Sequence, residues 1–361
     1  MRFEKVYIEG LAYHLPDNIV TSAEIEKRLA PLYDRLKLPR GRLELMSGIQ
    51  ERRFWEKGVF PSEVATVAGE KAIARSGVDP DQIGCLISAS VCRDFMEPST
   101  ASVIHNNLKL SGEAFVFDVS NACLGVLNGM SIIASMIEQN QILAGLVVAG
   151  ENGGPLVNNT IETLLARKDI TRSEIKSSFA SLTIGSSAVG VVLAHEKIAK
   201  QGHRLVGGIS MAETQFNQLC RGSDDSGAGG EWSPLMETDS ETLMLEGCRL
   251  AGKTWARTRE VLGWSNEMVS RVFCHQVGKG HRKLMYENVG LDLEKDFSTL
   301  EFLGNTGSAS LPTTLAMGIE KNVNIGAHPG FPDKENFGRK IMVMNPYDIT
   351  DTIMKQIENL F

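Results

Sequence analysis

No stretch of this 361-residue chain is apolar for long enough to span a bilayer. Its start, Met1-Arg2-Phe3-Glu4-Lys5, has no signal-peptide core. The expectation is a cytosolic protein. The six cysteines (Cys85, Cys92, Cys123, Cys220, Cys248 and Cys274) include no C-x-x-C pair and no metal-ligand spacing. They read as reduced thiols, with no structural metal and no resident cofactor expected. A long basic cluster is also missing, and the net charge is -7, which argues against nucleic acid as the main partner.

What remains is ordinary for a soluble enzyme, with 42% hydrophobic and 22% charged residues. The length suffices for two core-sized units or one fused pair. Short apolar runs alternate with helical periodicity: strands are predicted at Val6–Gly10, Ile83–Ser90, Ala114–Phe117, Ile142–Ala149 and Val189–Ala194. Helices are predicted over Ser62–Ala74 and Cys123–Ile137, and residues 151–183 read as an irregular, partly helical insertion. From Leu205 the alternation begins again, with strands at Leu205–Met211, Val272–His275 and Lys340–Met344 and helices at Ser240–Leu262, Lys279–Asn288 and Ser308–Ile319. Two successive α/β alternations suggest a duplicated unit, with halves at residues 1–200 and 201–361. The segment Ser47–Arg53 reads as a charged surface loop or edge strand.

Three residues stand where chemistry could occur. Cys123 follows the strand that ends in Asp118 and begins a helix, where unpaired amides and the helix dipole favour thiolate over thiol. His275 emerges at the end of the Val272–His275 run, and Asn305 lies in the tight turn Gly304-Asn305-Thr306-Gly307-Ser308. Strand ends of this kind converge in one cleft in open α/β sheets. Each residue also has a structural alternative: a small buried thiol, a satisfied core histidine, or an asparagine chosen for its turn geometry.

The motifs Asn121-Ala122-Cys123, His275-Gln276-Val277 and Gly304-Asn305-Thr306-Gly307-Ser308-Ala309-Ser310-Leu311-Pro312, in that order, resemble the thiolase-fold condensing enzymes of the ketoacyl synthase III type. The resemblance implies a duplicated thiolase-like α/β fold in five layers (αβαβα), a homodimer, acyl transfer onto Cys123, and carbon-carbon bond formation assisted by His275 and Asn305. Within that group, Ser90 to Ser102, with Glu97 at its centre, resembles the OleA-type branch that joins two acyl chains head to head. There, a glutamate matching Glu97 reaches into the partner subunit's site. A malonyl donor generates its carbanion by losing carbon dioxide, whereas a plain acyl thioester must give an α proton to a base. The resemblance gives Glu97 that role, with a pKa raised in an apolar channel.

The expected substrates are therefore acyl-CoA thioesters, with acyl carrier protein as a second possible carrier. Three alternatives stay open: a decarboxylating 3-oxoacyl synthase III that uses malonyl-acyl carrier protein, an acyl thioesterase, and a non-catalytic acyl-binding protein. Two departures limit what carries over. Where starter synthases hold the coenzyme with Trp and Arg, this chain has Arg42 and Met46, so the coenzyme-binding residues are unknown. Where the family has a glycine- and serine-rich turn, this chain has Met344-Asn345-Pro346-Tyr347-Asp348-Ile349-Thr350.

Overall fold

Strands that are apolar on both sides need cover on both faces, and this requirement shapes the first half of the chain. The computed structural model describes residues 1–200, 202–222 and 235–321. Its first strands are β1 (Val6–His14), β2 (Asn18–Thr21), β3 (Glu51–Phe54), β4 (Ile83–Ser88), β5 (Phe115–Asp118), β6 (Ala144–Glu151), β7 (Ser187–His195) and β8 (His203–Arg204). Six of them form one sheet in the order β5-β4-β6-β7-β1-β8. Pairing is parallel from β5 through β4 to β6 and antiparallel from there to β8.

The helices of this half are α1 (Ser22–Arg28), α2 (Ala30–Leu36), α3 (Arg42–Ser47), α4 (Pro61–Ser76), α5 (Thr100–Leu108), α6 (Gly125–Glu138), α7 (Gly154–Ala166) and α8 (Arg172–Ser178). The last two occupy the predicted irregular insertion. Alternation along the strands separates two cores. Cys85, Ile87 and Val147 face Met130, Ile133 and Ile137 of α6. Leu86, Leu146 and Val148 face the other way, onto Ala65 and Ala72 of α4 and Ile104 of α5. Each fully buried side chain of Ile or Leu size contributes about 1.5–3 kcal/mol, so this sheet with its two helical layers is a stable platform for the turns at its strand ends.

Ser47–Arg53 is not a surface loop throughout. β3 pairs with β2, and alternate residues Arg52 and Phe54 turn inward. Arg52 is fully buried, donating to Ser22 Oγ and to the Leu182 carbonyl, and burial pulls its guanidinium pKa down to about 10.

The second half contributes β9 (Cys220–Gly222), β10 (Met236–Thr238), α9 (Ser240–Leu262), α10 (Lys279–Val289), α11 (Leu300–Leu303) and α12 (Ser310–Glu320). The strands predicted at Leu205–Met211 and Val272–His275 do not form ladders; each leaves a single bridge, Arg2 with Gly207 and Val272 with Asp296. Each still exchanges a few backbone hydrogen bonds with a neighbour, Leu205 N with the Val6 carbonyl and Phe3 N with the Val206 carbonyl in one case, Val272 N with the Lys295 carbonyl and Phe297 N with the Val272 carbonyl in the other, but the pairing stops at one bridge and does not extend into a ladder. The strand predicted at Lys340–Met344, the Met344–Thr350 stretch and most of the glycine-rich loop after Gly222 lie outside the described residues. Among the described residues, no helix is long and apolar enough to cross a membrane.

Candidate active site

The nucleophile candidate sits on a sharp turn. After Asp118 the chain passes through Asn121 and a short 3-10 turn, Ala122–Leu124, before α6 begins at Gly125. Ala122 adopts φ 44°, a left-handed conformation that a residue with a Cβ adopts only where its surroundings enforce it. Two contacts do so. The Leu124 amide donates to the Asn121 carbonyl at 3.0 Å, and the Asn121 side-chain amide donates to Asn128 Oδ1. Cys123 is left half-buried and reachable from the surface.

The expected thiolate is not favoured here. Burial, then the Glu151 carboxylate, push the Cys123 thiol up to about 12. The helix proper starts two residues later, and the unpaired amide of Val126 is taken by Ser308 Oγ at 2.9 Å instead of serving the sulfur. Alkylation of the Cys123 peptide by iodoacetamide, followed by mass spectrometry, should therefore rise about tenfold per pH unit between about pH 7 and 10. A plateau below about pH 9 would show a thiolate already formed.

The Asn305 turn packs against the cysteine turn. Asn305 is buried, and its main chain bonds the Thr183 carbonyl and the Gly185 amide. Its Oδ1 accepts from the Gly307 amide at 3.1 Å, which leaves the side-chain nitrogen as a donor. Three residues on, Ser308 touches the cysteine turn itself: an ideal Cβ on Gly125 would lie 3.0 Å from Ser308 Oγ.

His275 follows the Val272 bridge and is half-buried, with Nδ1 shielded from solvent and without a hydrogen-bond partner among the described residues. Burial, with a smaller contribution from His281, lowers its pKa to about 4, so the ring is neutral at physiological pH. The next residue is held to the segment just before α11, because Gln276 Oε1 accepts from the Thr299 amide at 2.9 Å. Glu97 stands on an exposed loop of the single chain, between β4 and α5. That loop is anchored at both ends. Asp94 accepts from the Ser62 amide, and Asp118 accepts from the Thr100 and Ala101 amides, capping α5.

Two participants escaped the sequence reading. Glu151, at the end of the wholly buried β6, accepts from the amides of Val91, Cys92 and Ser308. Ser308 links that carboxylate to the first turn of α6. The available signal was a lone charged residue closing an apolar run. No group of three or more His, Cys, Asp or Glu side chains suited to a metal occurs among the described residues.

Residues 260–327 match the 3-oxoacyl-[acyl-carrier-protein] synthase III C-terminal family, and residues 306–361 match the LamB/YcsF family. The atypical Met344–Thr350 stretch thus falls where only the second match extends. An acyl-CoA:acyl-CoA alkyltransferase of Shewanella oneidensis is 41% identical over 320 residues, covering 88% of this chain and 91% of that protein. One from Xanthomonas campestris pv. campestris is 38% identical, with 88% and 90% covered. The crystal structure of cerulenin-bound Xanthomonas OleA superposes with a TM-score of 0.85 at 36% identity, over 91% of this chain and 92% of that one. A structure of the same protein with bound lauric acid and lauroyl-CoA superposes at 0.84, with 36% identity over 90% and 94%. Other structures of it replace a cysteine, a glutamate or a histidine. The fold is therefore the α/β thiolase fold of those enzymes, and the chain belongs to the acyl-CoA:acyl-CoA alkyltransferase family.

Proposed function

We propose that this chain joins two fatty acyl-CoA molecules by a non-decarboxylating Claisen condensation. The Cys123 sulfur attacks the carbonyl of the first thioester as its proton leaves; coenzyme A departs as the thiol, and an acyl-cysteine remains. A base removes an α proton from the second acyl-CoA. The resulting carbanion attacks the acyl-cysteine carbonyl, a carbon-carbon bond forms, the carbon-sulfur bond breaks, and the Cys123 sulfur is reprotonated. The product is a β-ketoacyl-CoA.

His275, neutral at physiological pH, and the Asn305 side-chain amide donate to the enolate oxygen of the second thioester as charge develops there. Glu97 is the base, supplied from the partner of a homodimer. Two observations support this arrangement. Glu97 is exposed in the single chain, and β5 is an edge strand whose Phe115 is 61% exposed, an edge that invites pairing with a second copy. Residues 1–200 and 201–361 then act as two halves, the first carrying Cys123 and Glu97, the second His275 and Asn305.

Family membership carries the reading. It is reinforced by spacing: the glutamate and the cysteine replaced in the OleA structures stand as far apart in sequence as Glu97 and Cys123. The test is incubation with a long-chain acyl-CoA alone. A β-keto product without any malonyl donor is expected. Strict dependence on a malonyl thioester would instead assign a decarboxylating synthase, and free fatty acid as sole product would assign a thioesterase.

A further inference from the structure

The carboxylate of Glu151 has no place in the chemistry above, yet it is buried beside the reacting cysteine and spends its oxygens on backbone amides. Oε1 accepts from Val91 N at 2.9 Å and from Ser308 N at 3.2 Å, and Oε2 faces Cys92 N at 3.4 Å. Val91 and Cys92 open the loop that carries Glu97. Ser308 closes the turn that carries Asn305, and its Oγ accepts from Val126 in the first turn of the cysteine helix. The strand end that presents Glu151 is itself fastened: Trp55 Nε1 donates to the Glu151 carbonyl, and the Gly150 amide donates to Ser90 Oγ at 2.7 Å. Gly307 passes so close that an ideal Cβ there would lie 3.1 Å from the Glu151 carboxyl carbon, at a φ of 57°. A side chain there would be strained by the backbone conformation and would have to press the carboxylate aside.

We propose that Glu151 is a positioning residue for the condensation, clamping the base-bearing loop and the Asn305 turn onto one strand end beside Cys123. The inference rests on the function proposed above. Three amides from two separate segments converge on one carboxylate, so the spacing of the two loops is set through it. Burial raises the Glu151 pKa while the Val91, Ser308 and Cys92 amides oppose that rise. The clamp also has an electrostatic cost for its neighbour, because a carboxylate here disfavours a thiolate at Cys123.

Reach and charge can be separated. Glu151→Gln keeps the length of the side chain and an acceptor oxygen for Val91 and Ser308, but removes the charge. Glu151→Asp keeps the charge and withdraws the oxygens by one methylene. Each variant is assayed with a long-chain acyl-CoA, with rates normalised to the Cys123 sites that iodoacetamide can label and with melting curves as a fold control.

A positioning role predicts that Glu151→Asp lowers kcat by about 100-fold, with KM within about threefold, because displacement of reacting groups by about 1 Å acts on the transition state. Glu151→Gln should lose less than about tenfold, while its Cys123 alkylation profile shifts to lower pH. Equal losses in both variants, or none in either, would overturn the inference. Absence of malonyl-independent product from the unaltered chain would instead remove the proposed function.

Discussion

Glu97→Ala should leave loading of Cys123 intact and stop the second half of the reaction. General-base catalysis contributes about 10²- to 10⁴-fold, and β-keto product should fall by that factor while acyl-Cys123 accumulates, visible as a mass shift of the intact protein. Attack of sulfur on a thioester needs no carbon acid, whereas an α proton of an unactivated acyl-CoA does not leave unaided. Because Glu97 is exposed in one chain, the residue can serve a neighbouring copy. Mixing Glu97→Ala with Cys123→Ala should then restore part of the activity, since one of the two sites in a mixed dimer would pair an intact base with an intact thiol. Equal activity of Glu97→Ala and the unaltered chain would take the base role from this residue. Loss of acyl-Cys123 itself would move Glu97 to the loading step.

The parts of the fold that local pattern governs were legible in the sequence. β4, β6 and β7 are runs of branched and small apolar residues bounded by turns, and the long helix Ser240–Leu262 follows its periodicity to the residue. The strands of the second half were not. Val272–His275 has a strand-like composition, but pairing is a property of two segments, and its single bridge goes to Asp296. Of the candidate site, the sequence offers residue types and their order. The electrostatics of that site were not legible, because the sequence places Cys123 at a helix start and says nothing of the Glu151 carboxylate, which arrives from a strand 28 residues later. Arg52 failed for the same reason: a charged run reads as solvated until β2 pairs with β3 and turns one guanidinium inward.

Gly125→Ala should damage the site by adding a single methyl group. The backbone of Gly125 is right-handed helical, with φ -51°, so alanine suits its conformation and only space decides. An ideal Cβ would lie 2.4 Å from the Ala89 carbonyl oxygen and 3.0 Å from Ser308 Oγ. The first of these is main chain at the end of β4, held by the Ala89 amide bond to the Val148 carbonyl at 2.8 Å, so it has little freedom to move aside. Overpacking of this kind costs about 1–3 kcal/mol. The kinetic cost should be larger, because the shift falls two residues from Cys123 and on the serine that joins the Asn305 turn to α6. Displacement of the sulfur by about 1 Å should lower kcat/KM by about 100-fold. Gly208→Ala, where an added Cβ meets nothing within 4 Å, is the control and should melt and turn over as the unaltered chain does. A Gly125→Ala chain that acylates Cys123 at the normal rate would mean that β4 and α6 can separate without moving the nucleophile, and that the turn is looser than its contacts imply.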